Sequence, residues 1–148
     1  MKTILVIFAL VVMQVCAHAG IETDIPPTNR VVLKSGAWKP TPEQTQKALL
    51  SIESFLNHPD TTNGWEKAEI KKILANVKRC RVQFIGVVRD GRKVIWCNFF
   101  PAPYNGDDEF KYWKQEKVEV MDGGYRFWRI YYDPSIDKCL EFASNGYA

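Results

Sequence analysis

The side chains best suited to chemistry are few here, and most of their spacings argue against the reactions they could serve. Beyond residue 19 the only histidine is His58, and the cysteines are Cys80, Cys97 and Cys139. No pair of them has the close spacing of a zinc site, neither two cysteines nor two histidines a few residues apart. No metal or cofactor is therefore expected. A Cys–His nucleophile would need His58, which sits beside Pro59 at the expected end of a helix, and nothing supplies an orienting third group. No Gly-x-Ser-x-Gly elbow is present. Three carboxylates, Asp107, Asp108 and Glu109, are neighbours in a loop containing Gly106. They are the candidates for acid–base hydrolysis, although glycosidase carboxylates must face each other across a cleft, which adjacency does not provide.

The more unusual set is aromatic and basic: Trp96, Trp113, Arg126, Trp128 and Tyr132. Such residues anchor interfaces, where large rings supply area and arginine supplies directed hydrogen bonds. In the stretch Tyr125 to Tyr132, aromatics fall on both alternating faces. A sheet with one wet face needs apolar residues on one side only. Either both faces are covered, or one presents these residues to a protein partner or to a second copy of the chain.

The elements that would position them follow from pattern. Cys80 to Phe100 reads as two strands about an Asp90-Gly91 turn, which sets Arg89 opposite Arg92 and Phe84 opposite Cys97. Lys114–Met121, Tyr125–Tyr132 and Lys138–Phe142 read as three more strands, separated by Asp122-Gly123-Gly124 and by a turn opening with Asp133-Pro134. Upstream, Thr41, Pro42 and Gln44 make a helix start with a capping box, and Ala48, Leu49, Ile52, Phe55 and Leu56 share one face to Asn57. A second helix is expected from Trp65 to Lys78, with its charged run, including a Glu69–Lys72 pair, on solvent. Val31 to Leu33 reads as a short edge strand, with Trp38 anchoring the arm that carries it. The expected fold is α+β: two N-terminal helices on a curved antiparallel sheet of four to five strands in meander order.

The chain has 148 residues, 46% hydrophobic and 25% charged, with a net charge of +3. That suits one globular domain, excludes wholesale disorder, and gives no electrostatic reason to expect nucleic acid. Lys2, the apolar run Ile4 to Val15 and the small residues of Ala17-His18-Ala19 read as a secretory signal over residues 1–19. No other stretch suggests a membrane span. Residues 20–40 then form an irregular arm and 41–148 the α+β domain. Export, to the periplasm or outside the cell, predicts a disulfide among Cys80, Cys97 and Cys139. Cys80–Cys97 is disfavoured because the hairpin register sets them about 13 Å apart. That leaves Cys97–Cys139 or Cys80–Cys139.

The order of helices then strands resembles the cystatin-like folds. The stretch Trp128 to Pro134, an aromatic strand ending in Tyr-Asp-Pro, resembles the PepSY-type modules of exported bacterial proteins. The inhibitory Gln-x-Val-x-Gly loop of cystatins is not matched, since Gln83-Phe84-Ile85-Gly86 has another spacing and lies within a strand. The resemblance therefore implies fold and export and transfers no inhibitory residues. Taken together the residues predict a small, exported, non-enzymatic binding module. The alternatives are a small hydrolase using the acidic loop, or an enzyme inhibitor using the Asp90-Gly91 hairpin.

Overall fold

The computed structural model describes residues 20–60 and 63–147, so the expected signal segment lies outside the described residues. The sheet grows outward from one hairpin. Strands β2 (Cys80–Arg89) and β3 (Arg92–Pro101) pair antiparallel from Cys80 opposite Pro101 to Arg89 opposite Arg92, with Phe84 opposite Cys97 as expected. The turn works because Asp90 and Gly91 both take positive φ, 48° and 75°. That is the twist a two-residue hairpin requires, and aspartate tolerates it better than most side chains.

Strand β4 (Trp128–Asp133) joins β3, and β5 (Lys138–Ser144) joins β4 through a register shift between Arg129 and Tyr131. At the other edge, β1 (Arg30–Val32) runs parallel to β2. The fold is thus α+β with a mixed five-stranded sheet in the order β1-β2-β3-β4-β5, which corrects the expected purely antiparallel meander. The arm after β1 is held by Trp38, which bridges Gly86 and donates from its indole to the Val87 carbonyl at 3.0 Å. Gly86 permits this approach, because a Cβ there would strike the Trp38 carbonyl.

The two main helices are not the first elements. A single turn, α1 (Ile21–Asp24), and β1 precede α2 (Pro42–Asn57) and α3 (Gly64–Asn76). The capping box forms: Thr41 Oγ1 accepts from the Gln44 N–H at 3.2 Å, and Gln44 Oε1 accepts from the Thr41 N–H at 2.9 Å. Leu49, Ile52 and Leu56 of α2 join Ile70 and Ile73 of α3 over one sheet face, made of Val82, Phe84, Ile95, Cys97, Phe99, Trp128, Ile130 and Tyr132. Trp128 and Phe99 are cross-strand neighbours whose rings stack at 3.7 Å. Not all of the charged run of α3 is solvated. Glu69 is buried and accepts from Lys72 Nζ at 2.8 Å and from the Tyr147 hydroxyl at 3.1 Å, which pins the C-terminal tail to the helix.

The segment expected as a third strand, Lys114–Met121, is not in the sheet. It forms a strap across the face opposite the helices, where Trp113 and Val118 pack on Phe100 with Phe110, Val120 and Phe127 around them. Three side-chain amides take the place of strand pairing. Gln83 Nε2 donates to the carbonyls of Trp113 and Glu116, and Gln83 Oε1 accepts from the Val118 N–H at 3.0 Å. Asn98 Nδ2 donates to the Val118 carbonyl at 2.8 Å, and Asn145 Nδ2 to those of Val120 and Asp122.

The expected disulfide is absent, and Cys80, Cys97 and Cys139 are free thiols. Cys97 lies on β3 and Cys139 on β5 beside Tyr132, so β4 separates them. Two strand spacings are about 10 Å, beyond disulfide reach. Cys80, opposite Pro101, sits at the far end of the hairpin.

Candidate functional site

The residues with most to offer a ligand converge where α3 ends. After Asn76 the chain makes a 3-10 turn, Val77–Arg79, and enters β2 at Cys80. The hairpin register returns the chain to this end at Pro101, and the Ala102 N–H donates to the Arg79 carbonyl at 2.7 Å. A second 3-10 turn, Gly124–Arg126, then leads into β4. Its entry uses Gly123 and Gly124 at φ 93° and 56°, a conformation costly for residues with a Cβ.

Between these pieces is a cavity of about 400 Å³, within the usual range for small-molecule sites. Ile73, Cys80 and Trp128 form its inner wall, Tyr104 and Tyr125 are two rings beside it, and Arg79 and Arg126 supply its charge. No carboxylate lines it. Arg79 lies over the Tyr104 ring, 5.8 Å from its centroid. Among the described residues neither guanidinium is in an ion pair.

The inner wall is dry in character. Burial pushes the Cys80 thiol up to about 12, only partly opposed by the Trp128 N–H beside it. A thiol so shifted is neutral at physiological pH and no nucleophile. It donates weakly to the Asn76 carbonyl at 3.8 Å. The Trp128 Nε1–H itself makes no hydrogen bond among the described residues. The cavity thus offers two cations, aromatic faces and one buried donor, and its lining contains no imidazole or carboxylate to move a proton.

The structure brings together only part of the expected aromatic set. Arg126 and Trp128 meet at this cavity. Trp128 and Tyr132 are each 1% exposed and Trp113 is 5% exposed, so none of the three is available on an open face. They are core, because helices cover one face of β4 and the strap covers the other. The Tyr132 hydroxyl donates to Asp137 Oδ1 at 2.8 Å, and burial holds the phenol well above its ordinary range. Trp96 is half-buried on the strap side, with Lys117 Nζ 5.1 Å from its ring centroid. Arg79, Tyr104 and Tyr125 escaped the sequence reading. The signal for two of them was present: pairing Cys80 with Pro101 necessarily brings Arg79 close to the loop that carries Tyr104.

The acidic loop borders a separate cavity of about 360 Å³, with Arg126 on the partition between the two. Asp108 is already engaged there. It accepts from both Nη atoms of Arg81 at 2.8 Å and from the Phe110 N–H at 3.0 Å. The Arg81 guanidinium holds its carboxyl below the usual range, the opposite of the upward shift a general acid needs. Asp107 and Glu109 are exposed. At the hairpin tip Asp90 and Gly91 are exposed, with Arg89 clamped to Glu141 by two contacts of 2.9 Å. Among the described residues no helix is long and apolar enough to cross a membrane.

No protein-family model matches this chain, and no curated protein or solved structure matches it either.

Proposed function

We propose that this chain is a small, exported, non-enzymatic binding module that holds an anionic small molecule in the cavity beneath Arg79 and Arg126. The observation that carries this reading is the charge of the site: two arginines border a largely apolar cavity that has no carboxylate in its lining. Arginine is well suited to this role, since its planar donors match carboxylates, sulfonates and phosphates and it sheds water more readily than lysine. The rings and the neutral thiol would take the body of the ligand. Export rests on Lys2, the apolar run to Val15 and Ala17-His18-Ala19. The kinship with cystatin-like and PepSY-type modules is retained as analogy, supported by two helices laid on one face of a mostly antiparallel sheet. Recognition by a protein across the aromatic face is less favoured, because Trp113, Trp128 and Tyr132 are buried.

Anilinonaphthalene sulfonate, an aromatic anion whose emission rises in apolar sites, tests the reading directly. The folded protein, residues 20–148, should bind it saturably. The Arg79→Ala, Arg126→Ala double variant should bind at least about tenfold more weakly, the weight of one charge-assisted hydrogen bond. Ile73→Trp, which fills the cavity, should abolish binding. Circular dichroism confirms that each variant is folded. Binding indifferent to both changes would place the dye elsewhere and remove the basis of the proposal.

A further inference from the structure

The indole of Trp128 gives the cavity a second polar feature, at its inner end. The residue is 1% exposed and its Nε1–H has no acceptor among the described residues. A buried donor left unmatched costs about 1–3 kcal/mol, and native structures leave few of them. Trp128 borders two cavities, but its N–H lies beside the Cys80 sulfur, and Cys80 lines only the arginine-bearing one. The donor therefore belongs to the same cavity as Arg79 and Arg126.

The two ends ask for different chemistry. The inner end is walled by Ile73, Cys80 and the Trp128 ring, where an ion would be stripped of water with no countercharge among its neighbours. A neutral acceptor suits that position. The arginine end can hold a full negative charge while its groups stay partly hydrated. Between the ends, Tyr104 and Tyr125 offer ring surfaces to a flat body.

We propose that the ligand is an aryl carboxylate bearing a neutral carbonyl at the end remote from its carboxylate, with the carboxylate on Arg79 and Arg126 and the carbonyl oxygen accepting from Trp128 Nε1–H. This rests on the reading of the cavity as a binding site for anions, and it adds the body of the ligand and its second polar group.

Three small probes of one shape separate the parts. Para-acetylbenzoate has both groups, para-isopropylbenzoate replaces the carbonyl with a carbon of nearly the same volume, and para-acetylbenzamide removes the charge. Titrations of the isotope-labelled protein, residues 20–148, followed by nitrogen–proton correlation spectra report on the backbone and the Trp128 indole together. Para-acetylbenzoate should move the Trp128 indole proton downfield and bind about two- to tenfold more tightly than para-isopropylbenzoate, the range one neutral hydrogen bond spans. Para-acetylbenzamide should be the weakest, and the double arginine variant should no longer distinguish it from the benzoate. Equal affinity of the acetyl and isopropyl acids, with shifts at Ile73 and Cys80, would overturn the inferred carbonyl while leaving the cavity as an anion site. In that case water serves the indole. An amide binding as tightly as the acids would overturn the inferred carboxylate. No shift at Ile73, Cys80 or Trp128 with any probe, together with loss of the dye result, would overturn both readings.

Discussion

The three thiols show how completely surroundings decide what a side chain can do. Sequence spacing made them disulfide candidates, but the fold separates Cys97 from Cys139 by a strand and sets Cys80 at the far end of the hairpin. Each is buried enough to resist ionisation. The Cys80 thiol is pushed to about 12 and Cys139 to about 11 by burial, and Cys97, with no exposed surface, is raised well above its ordinary value. Alkylation requires the thiolate and access to it. In the native protein iodoacetamide should therefore label Cys139 first and slowly, because it is only half-buried and its thiol reaches the Ser51 hydroxyl at 3.6 Å. Cys97 should be labelled only on unfolding. Peptide mass spectrometry of a time course checks the order, and rapid native labelling of Cys97 would contradict this packing. In denaturant all three should react, as free thiols and not as a bridged pair.

Among the elements, what could be read in advance was what local chemistry specifies. The α2 start is written in Thr41, Pro42 and Gln44, and the β2–β3 register in Asp90-Gly91, since each depends only on near neighbours. The strap was misread for a physical reason. Val118 and Val120 alternate with Lys117 and Glu119, a period-two pattern that any extended segment with one buried side will show. Whether such a segment pairs in a sheet or lies across it is decided elsewhere, here by Gln83, Asn98 and Asn145, distant in sequence. The candidate site was legible only in part on the same account. Arg126 and Trp128 were picked out by type, whereas Arg79, Tyr104 and Tyr125 join them through tertiary closure. The amide anchoring yields its own prediction. Gln83→Leu keeps the bulk but leaves the Trp113 and Glu116 carbonyls and the Val118 N–H without their partner. The variant should be destabilised by about 2 kcal/mol or more, given the cost of each unmatched buried group. Hydrogen exchange should quicken at Val118 and through the strap, while amides within α2 and α3 keep their relative protection. Uniform loss of protection would show that the strap unfolds with the body and not ahead of it.

For the whole molecule, stability should form a plateau bounded by different groups on each side. On the acid side stand carboxylates whose native values are depressed: Asp133 by the Ser135 hydroxyl and N–H and by Arg92, Asp108 by Arg81, and the exposed Glu141 by Arg89. A depressed carboxylate contributes stability that is complete above its unfolded value, about 4, and is lost as pH falls through the native one. Asp133 matters most, because it is fully buried and accepts from the Ser135 N–H at 2.9 Å, the Ser135 hydroxyl at 2.5 Å and Arg92 at 3.1 Å. The Arg89–Glu141 pair is exposed and screened by salt, so it adds little. On the alkaline side stand acids held neutral by burial, the three thiols and Tyr132. Their native values are raised, so their contribution is complete below the unfolded values, about 8.5 for a thiol and about 10 for tyrosine, and is lost as pH rises above them. Urea midpoints should accordingly be flat from about pH 5 to about pH 8 and fall on both sides. Asp133→Asn should lower the plateau by about 2 kcal/mol and flatten the acid limb, since the charge that the fold favours is gone. Tyr132→Phe should leave the acid limb intact and soften only the decline above about pH 10. Midpoints unchanged between pH 5 and pH 2 in the parent protein would mean that Asp133 is not held as the buried anion its three donors require.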